Sequence, residues 1–292
     1  MKVLIFGAGG MLGHKLLQVL SGDESLEVYG AVRDDSIVRI LAEFKAKFFT
    51  DVDAENFELI KGIVFGLRPE VIINAVGIVK QAPEAASVEK SLQVNSIFPH
   101  KLARLALGVG ARFITFSTDC VFSGRRGNYR EEDSADAEDL YGRSKLLGEV
   151  KESNCLTIRT SIIGRELKGR KGLMEWFLSQ EGRKIKGYKK VIFSGFPTVV
   201  LAEIIKDLLK RDVFLEGVYH VSSNAISKYE LLCLIREKLD LEIGIEPDET
   251  VCLDRSLDST KFRQATGFQP ESWERMIERM LEDFKWYKEV KK

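Results

Sequence analysis

On a helix, residues four apart share one face. In Tyr141-Gly142-Arg143-Ser144-Lys145 a phenol and an ammonium can therefore converge on one substrate oxygen. A nearby cation favours phenolate and lowers the phenol pKa from its usual value near ~10. A shift of roughly three units would be worth about 4 kcal/mol. Such a Tyr gives a proton to a carbonyl under reduction or takes one from an alcohol under oxidation. Ser117-Thr118-Asp119 stands a little over twenty residues upstream. Spacing alone proves little: Tyr287 and Lys291 repeat it in a charged tail with no Gly, Ser or Thr companion, where a solvated helix face is expected.

A Tyr–Lys pair needs a hydride carrier, and the first residues offer its cradle. Gly7-Ala8-Gly9-Gly10-Met11-Leu12-Gly13 follows the apolar run Val3 to Phe6 and opens a helical pattern. Glycines there let the turn tighten and let the backbone approach a pyrophosphate, whose charge is favoured at a helix N-terminus. The second run ends at Ala31-Val32-Arg33. An acid at that place would bind free ribose hydroxyls, whereas Arg33 suits a 2′-phosphate, so NADP(H) is preferred although NAD(H) still fits. The blander reading of Arg33 is a surface pair with Asp34 or Asp35. Asp51-Val52 after the third run is a candidate adenine contact or an ordinary helix cap. Asn74-Ala75-Val76-Gly77 ends the fourth with small residues that let a nicotinamide-bearing chain pass close to the backbone.

The elements that must position these residues alternate. Apolar runs at Val28 to Val32, Phe48-Phe49, Val71 to Asn74, Arg112 to Ser117, Leu156 to Arg159 and Val218 to Val221 are separated by amphipathic stretches at Gly13 to Leu20, Val38 to Phe44, Asn56 to Leu67, Ser91 to Leu107, Tyr141 to Val150 and Thr198 to Leu209. That alternation predicts an α/β fold: a doubly wound, Rossmann-type parallel sheet covered on both faces, with a smaller C-terminal substrate-binding lobe. We assign 1–163 and 191–226 to the dinucleotide-binding domain, and 164–190 and 227–292 to the lobe. The Lys-, Arg- and Gly-rich stretch Glu166 to Lys190 has no clear element, and Ser227 onward reads as mainly helical. Ser227 and Glu230 form a capping box, and Trp273, Met276, Ile277, Met280 and Phe284 stripe one helix side from about Ser272 to Tyr287.

With 292 residues, 45% hydrophobic, the chain can bury a large core. Its 44 basic and 44 acidic residues cancel, so no global field recommends nucleic acid or an anionic membrane as partner. Cys120, Cys155, Cys233 and Cys252 lack zinc-ligand spacing, and His14, His100 and His220 are isolated from one another, so no metal is expected. The opening apolar run is cut by Gly7, and no later segment is long enough to cross a membrane, which leaves a cytoplasmic chain as the expectation. A homodimer is the base-rate state.

Together these motifs resemble the extended short-chain dehydrogenase/reductase superfamily, and more closely its dTDP-4-dehydrorhamnose reductase-like branch. Gly7, Gly10 and Gly13 match GxxGxxG, Asn74 to Gly77 is similar to an NAAG-like segment, and Asn95 in Leu92-Gln93-Val94-Asn95 matches an Asn on the helix behind the site. Ser117-Thr118-Asp119-Cys120-Val121-Phe122-Ser123-Gly124 resembles STDYVFxG with Cys120 replacing Tyr. Arg159-Thr160-Ser161, Phe196-Pro197-Thr198, Gly217 to His220 and Leu257 to Phe262 are similar to segments of the branch's C-terminal half.

The resemblance implies that Thr118 hydrogen-bonds the substrate oxygen, Tyr141 is the general acid, and Lys145 holds the nicotinamide ribose. Gly7, Gly10, Met11, Leu12, Gly13, Arg33, Asp51, Val52, Asn74 to Gly77, Asn95 and Ser117 would form the cofactor site. Asp119, Cys120, Val121, Ile162 and Arg255 would meet the sugar. Sugar dehydratases of this pattern carry Glu where Cys120 stands, so the base for elimination is missing. Ile162 stands where the branch often has Trp, Arg255-Ser256 where Ser-Arg is usual, and no Pro precedes Tyr141. The acidic loop from Glu131 to Asp139 reads as solvated surface. The expected activity is NADPH-dependent reduction of a nucleotide-diphospho-4-keto-6-deoxyhexose in deoxysugar and polysaccharide biosynthesis, led by dTDP-4-dehydrorhamnose to dTDP-rhamnose. A nucleotide-sugar epimerase and a non-catalytic NADP-binding regulatory subunit are the alternatives.

Overall fold

A computed structural model of the chain describes residues 1–169, 171–211 and 214–290; Arg170, Asp212, Val213, Lys291 and Lys292 lie outside that description. Strands run β1 Lys2–Phe6, β2 Glu27–Ala31, β3 Ala46–Phe49, β4 Val71–Asn74, β5 Arg112–Thr118, β6 Cys155–Thr160, β7 Ile162–Ile163, β8 Lys184–Phe193, β9 Phe196–Pro197, β10 Gly217–His220, β11 Ile226–Ser227 and β12 Gly244–Asp254. Helices run α1 Gly13–Ser21, α2 Ser36–Leu41, α3 Phe57–Leu67, α4 Val88–Ser91, α5 Phe98–Val109, α6 Leu140–Leu147, α7 Leu173–Leu178, α8 Thr198–Leu209, α9 Lys228–Leu239, α10 Thr260–Thr266, α11 Trp273–Glu282 and α12 Phe284–Val290. The chain forms two compact units, Met1–Ser117 with Asp139–Ile158 and Leu201–Val218, and Thr118–Glu138 with Arg159–Val200 and Tyr219–Lys292.

The first unit is built on a seven-stranded sheet in the order β3-β2-β1-β4-β5-β6-β10. β1 pairs in parallel with β2 and β4, β2 with β3, and β4 with β5. This is the doubly wound order, whose direction reverses between β1 and β4, and a ligand binds beyond the carboxyl ends of strands at such a switch point. Because helices cover both faces, the central strands are apolar on both sides: all four residues of β4 and Val3 to Phe6 of β1 are buried. Each buried Ile, Leu or Phe there contributes about 1.5–3 kcal/mol.

The expected helix from Ser91 to Leu107 carries a defect. Leu92–Ile97 is π-helical, and the Phe98 amide donates to the Gln93 carbonyl five residues back. Pro99 is the cause: it has no amide for the Asn95 carbonyl, and its ring would crowd that oxygen in a regular α-turn. Asn95 thus sits inside a widened turn, buried.

In the second unit β8 lies between β12, parallel to it, and β11, antiparallel to it. From Ser227 onward the chain is mainly helical, as expected, but β12 interrupts the helices, and β8 crosses the stretch expected to have no clear element. The local pattern hid both long strands: β8 mixes four lysines with a glycine, and β12 contains Pro247 and acidic residues, with a bulge between Asp248 and Cys252. The charges are satisfied across the strands, Lys186 on Asp248 at 2.9 Å and Lys189 on Glu249 at 3.0 Å. The capping box of α9 is present, Ser227 Oγ accepting from Glu230 N and the Glu230 carboxylate accepting from Ser227 N, each at 3.1 Å.

The apolar stripe Trp273, Met276, Ile277 and Met280 is buried, but its helix ends at Glu282 and restarts at Phe284. Tyr287 is 1% exposed, not on a solvated face. The Arg165 guanidinium lies 4.7 Å from the Phe284 ring centre and 5.1 Å from that of Tyr287, and pairs with Glu175 at 2.6 Å. Burial holds the Tyr287 phenol well above its ordinary value. Lys291, its partner in spacing, is outside the described residues. Among those described, no helix is long and apolar enough to cross a membrane.

Candidate active site

The glycine turn leaves β1 and is closed by its own backbone. Gly10 N donates to Gly7 O at 2.9 Å, while Gly7 N and Ala8 N both reach the Ala31 carbonyl at the end of β2. Gly7 has φ +78°, and a Cβ there would meet Ala75 C and Val76 N at 2.9 Å. A Cβ on Gly13 would collide with the Gly7 carbonyl oxygen and lie 2.8 Å from its carbon. The glycines therefore let the turn pack backbone against backbone and open directly into α1, whose N-terminus suits a pyrophosphate. Leu12 is buried and Met11 half-buried beside it.

At the ends of β2 and β3, Arg33 is 80% exposed in its side chain, with Asp53 4.0 Å from its guanidinium. This is a loose surface contact and leaves the charge available to a phosphate. Asp51 takes a left-handed backbone, φ 57°, and Val52, nearly buried, donates its amide to Val32 O at 3.0 Å.

The polar side chains at the end of β4 are spent on the framework. Asn74 donates to Thr115 Oγ at 3.1 Å and accepts from Val76 N at 3.1 Å. Asn95 accepts from Ile78 N at 2.9 Å and donates to Ile78 O at 3.1 Å and to Ser144 Oγ at 3.2 Å. Both hydrogens of its amide are thus committed. Asn95 joins the loop after β4 to α6, a supporting position one layer behind the expected cofactor contacts. A Cβ on Gly77 would lie 3.9 Å from Lys145 Nζ, so this small-residue loop passes directly beside the lysine.

Asp139 caps α6, accepting from Gly142 N at 2.8 Å, and Lys80 holds its other oxygen at 2.7 Å. Other acids of the expected solvated loop are also engaged. Asp136 binds Ser123 N at 2.7 Å, Glu131 accepts from His220 N at 2.8 Å, and Asp133 pairs with Arg126. On α6 Tyr141 is half-buried and Lys145 buried. Lys145 Nζ donates to Phe116 O on β5 at 2.6 Å. Desolvation pushes this ammonium down to about 8, and the Glu149 carboxylate one turn further along opposes the fall. Glu149 in turn accepts from Ser117 Oγ at 2.7 Å. Sequence reasoning missed Glu149, although Tyr141, Lys145 and Glu149 advance by four each time, the spacing that first marked the pair. The helix ends at its C-cap, Gly148, which must be glycine because a Cβ there would strike the Asn95 carbonyl oxygen in the π-turn.

The second unit begins at Thr118, the last residue of β5. Its Oγ accepts from Cys120 N at 3.1 Å, capping the short 3₁₀ turn Asp119–Val121, and lies 3.2 Å from Asp119 Oδ1. Asp119 is buried, which raises its carboxyl pKa. Arg255 donates to Phe122 O at 2.8 Å and lies 3.6 Å from Cys120 Sγ. The Cys120 thiol, pushed up to about 11 chiefly by burial, is neutral. Val121 is buried, and Ile162 is half-buried on β7, opposite Phe196 of β9.

The C-terminal motif segments meet around His220. Its Nδ1 bonds Tyr129 O at 2.9 Å, so Nε2 is the acceptor for Arg159, at 3.2 Å. The Arg159 guanidinium lies over Phe122, which stacks on Tyr129 at 4.2 Å. Ser259 Oγ donates to His220 O at 2.9 Å. Burial and Arg159 push His220 down to about 4. The unfolded chain takes up a proton below about 6.5, the folded chain only near 4, so stability is lost as pH falls between them. The loss is at most about 3 kcal/mol. Urea unfolding at pH 7 and 4.5 should show this drop, and His220→Gln should shrink it; an unchanged drop in the variant would remove His220 as its source.

A doubly wound sheet with a glycine turn after β1 and a Tyr–Lys helix after β5 defines an extended short-chain dehydrogenase/reductase. The chain belongs to the family described as the RmlD substrate binding domain, matched over residues 1–286. It is similar to a dTDP-4-dehydrorhamnose reductase of Aggregatibacter actinomycetemcomitans, 26% identical over 94% of this chain and 97% of that one. It is also similar to the methionine adenosyltransferase 2 subunit beta of Bos taurus, 28% identical over 82% of this chain and 72% of that one. Among solved structures, a hypothetical dTDP-4-dehydrorhamnose reductase from Sulfolobus tokodaii superposes with TM-score 0.77 at 29% identity, covering 94% of this chain and 98% of that one.

Proposed function

We propose that the chain reduces the 4-keto group of a nucleotide-diphospho-6-deoxyhexose with NADPH, with dTDP-4-dehydrorhamnose as lead substrate and deoxysugar or polysaccharide synthesis as the purpose. The first unit would hold the dinucleotide and the second the sugar. One observation carries the reading: Lys145 is buried on the same helix face as Tyr141 and beside the Gly77 loop, while Cys120 occupies the place where an elimination base would stand.

The reduced dinucleotide, when bound, supplies hydride to the ketone carbon. Gly7 to Gly13 would take its pyrophosphate, Arg33 its 2′-phosphate, and Lys145 its nicotinamide ribose. Tyr141 delivers a proton to the ketone oxygen as that oxygen gains charge, and Thr118 donates a hydrogen bond to it. The Lys145 ammonium favours the phenolate left on Tyr141, which is then reprotonated from solvent. The product is the 4-hydroxy sugar.

Purified protein should oxidise NADPH against a panel of nucleotide-4-ketohexoses; folded protein inert to all of them would end the proposal. The resemblance to a methionine adenosyltransferase subunit favours a non-catalytic rival. Tyr141, Lys145 and the lysine's buried setting weigh against it, because an unused buried ammonium is costly. An epimerase would retain bound NAD⁺ on purification. We place the enzyme in the cytoplasm, as a homodimer by base rate.

A further inference from the structure

Lys145 has to remain an ammonium in a place that disfavours charge. It is 9% exposed, and a buried cation is costly unless a counter-charge lies close by. Among the described residues of the first unit a single acidic side chain is buried, that of Glu149, at 7% exposure. It stands four positions after Lys145, just past the end of α6, where its amide donates to Leu146 O at 3.2 Å and carries the turn on. The helix dipole repels an anion there and burial adds to the cost, so a carboxylate at this position needs a cation near it. The two side chains hold successive residues of one strand. Lys145 Nζ donates to Phe116 O at 2.6 Å, and Glu149 accepts from Ser117 Oγ at 2.7 Å. That hydroxyl, a donor to the carboxylate, keeps Glu149 on the β5 side of the helix, to which the lysine also reaches.

We propose that Glu149 is the positioning residue for Lys145: its carboxylate, held by Ser117, is the counter-charge that keeps the lysine cationic at its place against β5. The inference rests on the proposed role of Lys145. Other charged groups around α6 are turned to solvent or committed elsewhere. The helix packs on the π-turn Leu92–Ile97, which carries no titratable side chain, and on Pro83–Ala86 and α4, where Glu84, Glu89 and Lys90 are exposed. Arg143 on α6 is exposed, and Asp139 at its start is taken by Lys80. His100 of α5 bonds Leu147 O at 2.9 Å, and Arg112 lies at the far end of β5. Tyr141, the remaining titrating group of the helix, is the proposed proton donor. Burial drives the lysine toward its neutral form, and Glu149 is the charge that pushes back. Glu149 itself exchanges no proton with the substrate.

Glu149→Gln keeps the shape and the acceptor for Ser117 and removes the charge, whereas Glu149→Asp keeps the charge and shortens the reach. A purely structural bond would be spared by Gln, a counter-charge by Asp. Isotope-edited NMR of labelled lysines, with the Lys145 signal assigned by its loss in Lys145→Arg, reads the titration without any turnover. In Glu149→Gln that signal should titrate about one pH unit or more below the parental value, because a nearby opposite charge favours the charged form. In Glu149→Asp it should stay near the parental value, as it should in Glu152→Gln, which removes an exposed charge three residues on. A Lys145 titration unmoved in the Gln variant, or moved as far by Asp or by Glu152→Gln, would overturn the inference whatever the enzyme reduces. A Gln variant that does not fold leaves the Asp variant to decide, and a drop of about one unit there overturns the inference. In turnover, the alkaline limb of kcat/KM should move to lower pH by the same amount in Glu149→Gln and hold in Glu149→Asp. If Gln lowers the Lys145 titration and wild type is inert to every ketosugar, the counter-charge stands and the proposed function fails.

Discussion

Tyr141→Phe should lose about 10²–10⁴-fold in kcat while its affinity for NADPH stays nearly unchanged, because the substitution removes the proposed proton donor and keeps the ring. The ring keeps its place at the start of α6, the Asp139 cap acts through the Gly142 amide, and Lys145 stays bonded to Phe116 O. Hydride delivery without a proton would leave an alkoxide, and Thr118 alone cannot neutralise it. The split between kcat and binding separates this role from a structural one: a misfolded helix would weaken NADPH binding as well. Single-turnover NADPH oxidation with saturating ketosugar, paired with a fluorescence titration of NADPH, reads both quantities. Parental turnover in the variant would remove Tyr141 from the chemistry. In the free enzyme Lys145 loses its charge above about 8, so kcat/KM should decline through that pH as support for the phenolate is withdrawn.

What the sequence made legible and what it hid follow one physical division. Central parallel strands are buried on both faces, so Val3 to Phe6 and Val71 to Asn74 stand out as apolar runs with no reference to their partners. Tyr141, Lys145 and the glycine turn were readable because helix spacing and backbone clearance are local properties. β8 and β12 were not, because their lysines and carboxylates are matched only across strands some sixty residues apart. Tyr287 looked like tail surface until Arg165 and Glu175, more than a hundred positions away, covered it. Likewise Asn95 carried a family match but no sign that its amide would be consumed by Ile78 and Ser144. Arg159 and His220 belonged to separate motifs until a 3.2 Å contact joined them.

Gly13→Ala is the second large effect expected, and it tests the cofactor turn without touching any reacting group. The added methyl would overlap the Gly7 carbonyl oxygen and lie 3.0 Å from Ala8 Cα, and neither atom can rotate away as a side chain can. Nor can the turn retreat. Gly7 already sits against Ala75 and Val76 at the end of β4, and its amide and that of Ala8 are tied to Ala31 O. The strain should cost about 1–3 kcal/mol of stability, as overpacking does. It should weaken NADPH binding by at least about tenfold, equivalent to ~1.4 kcal/mol, because the displaced turn carries the start of α1 away from the place where the pyrophosphate would bind. Gly22→Ala is the control: it ends the same helix with φ −73°, and its Cβ would meet nothing nearer than Val19 O at 3.6 Å. That variant should stay within about 0.5 kcal/mol of the parent. Equal NADPH affinity in the two variants would mean that the glycine turn serves only to connect β1 to α1, and the hydride carrier would have to be sought elsewhere.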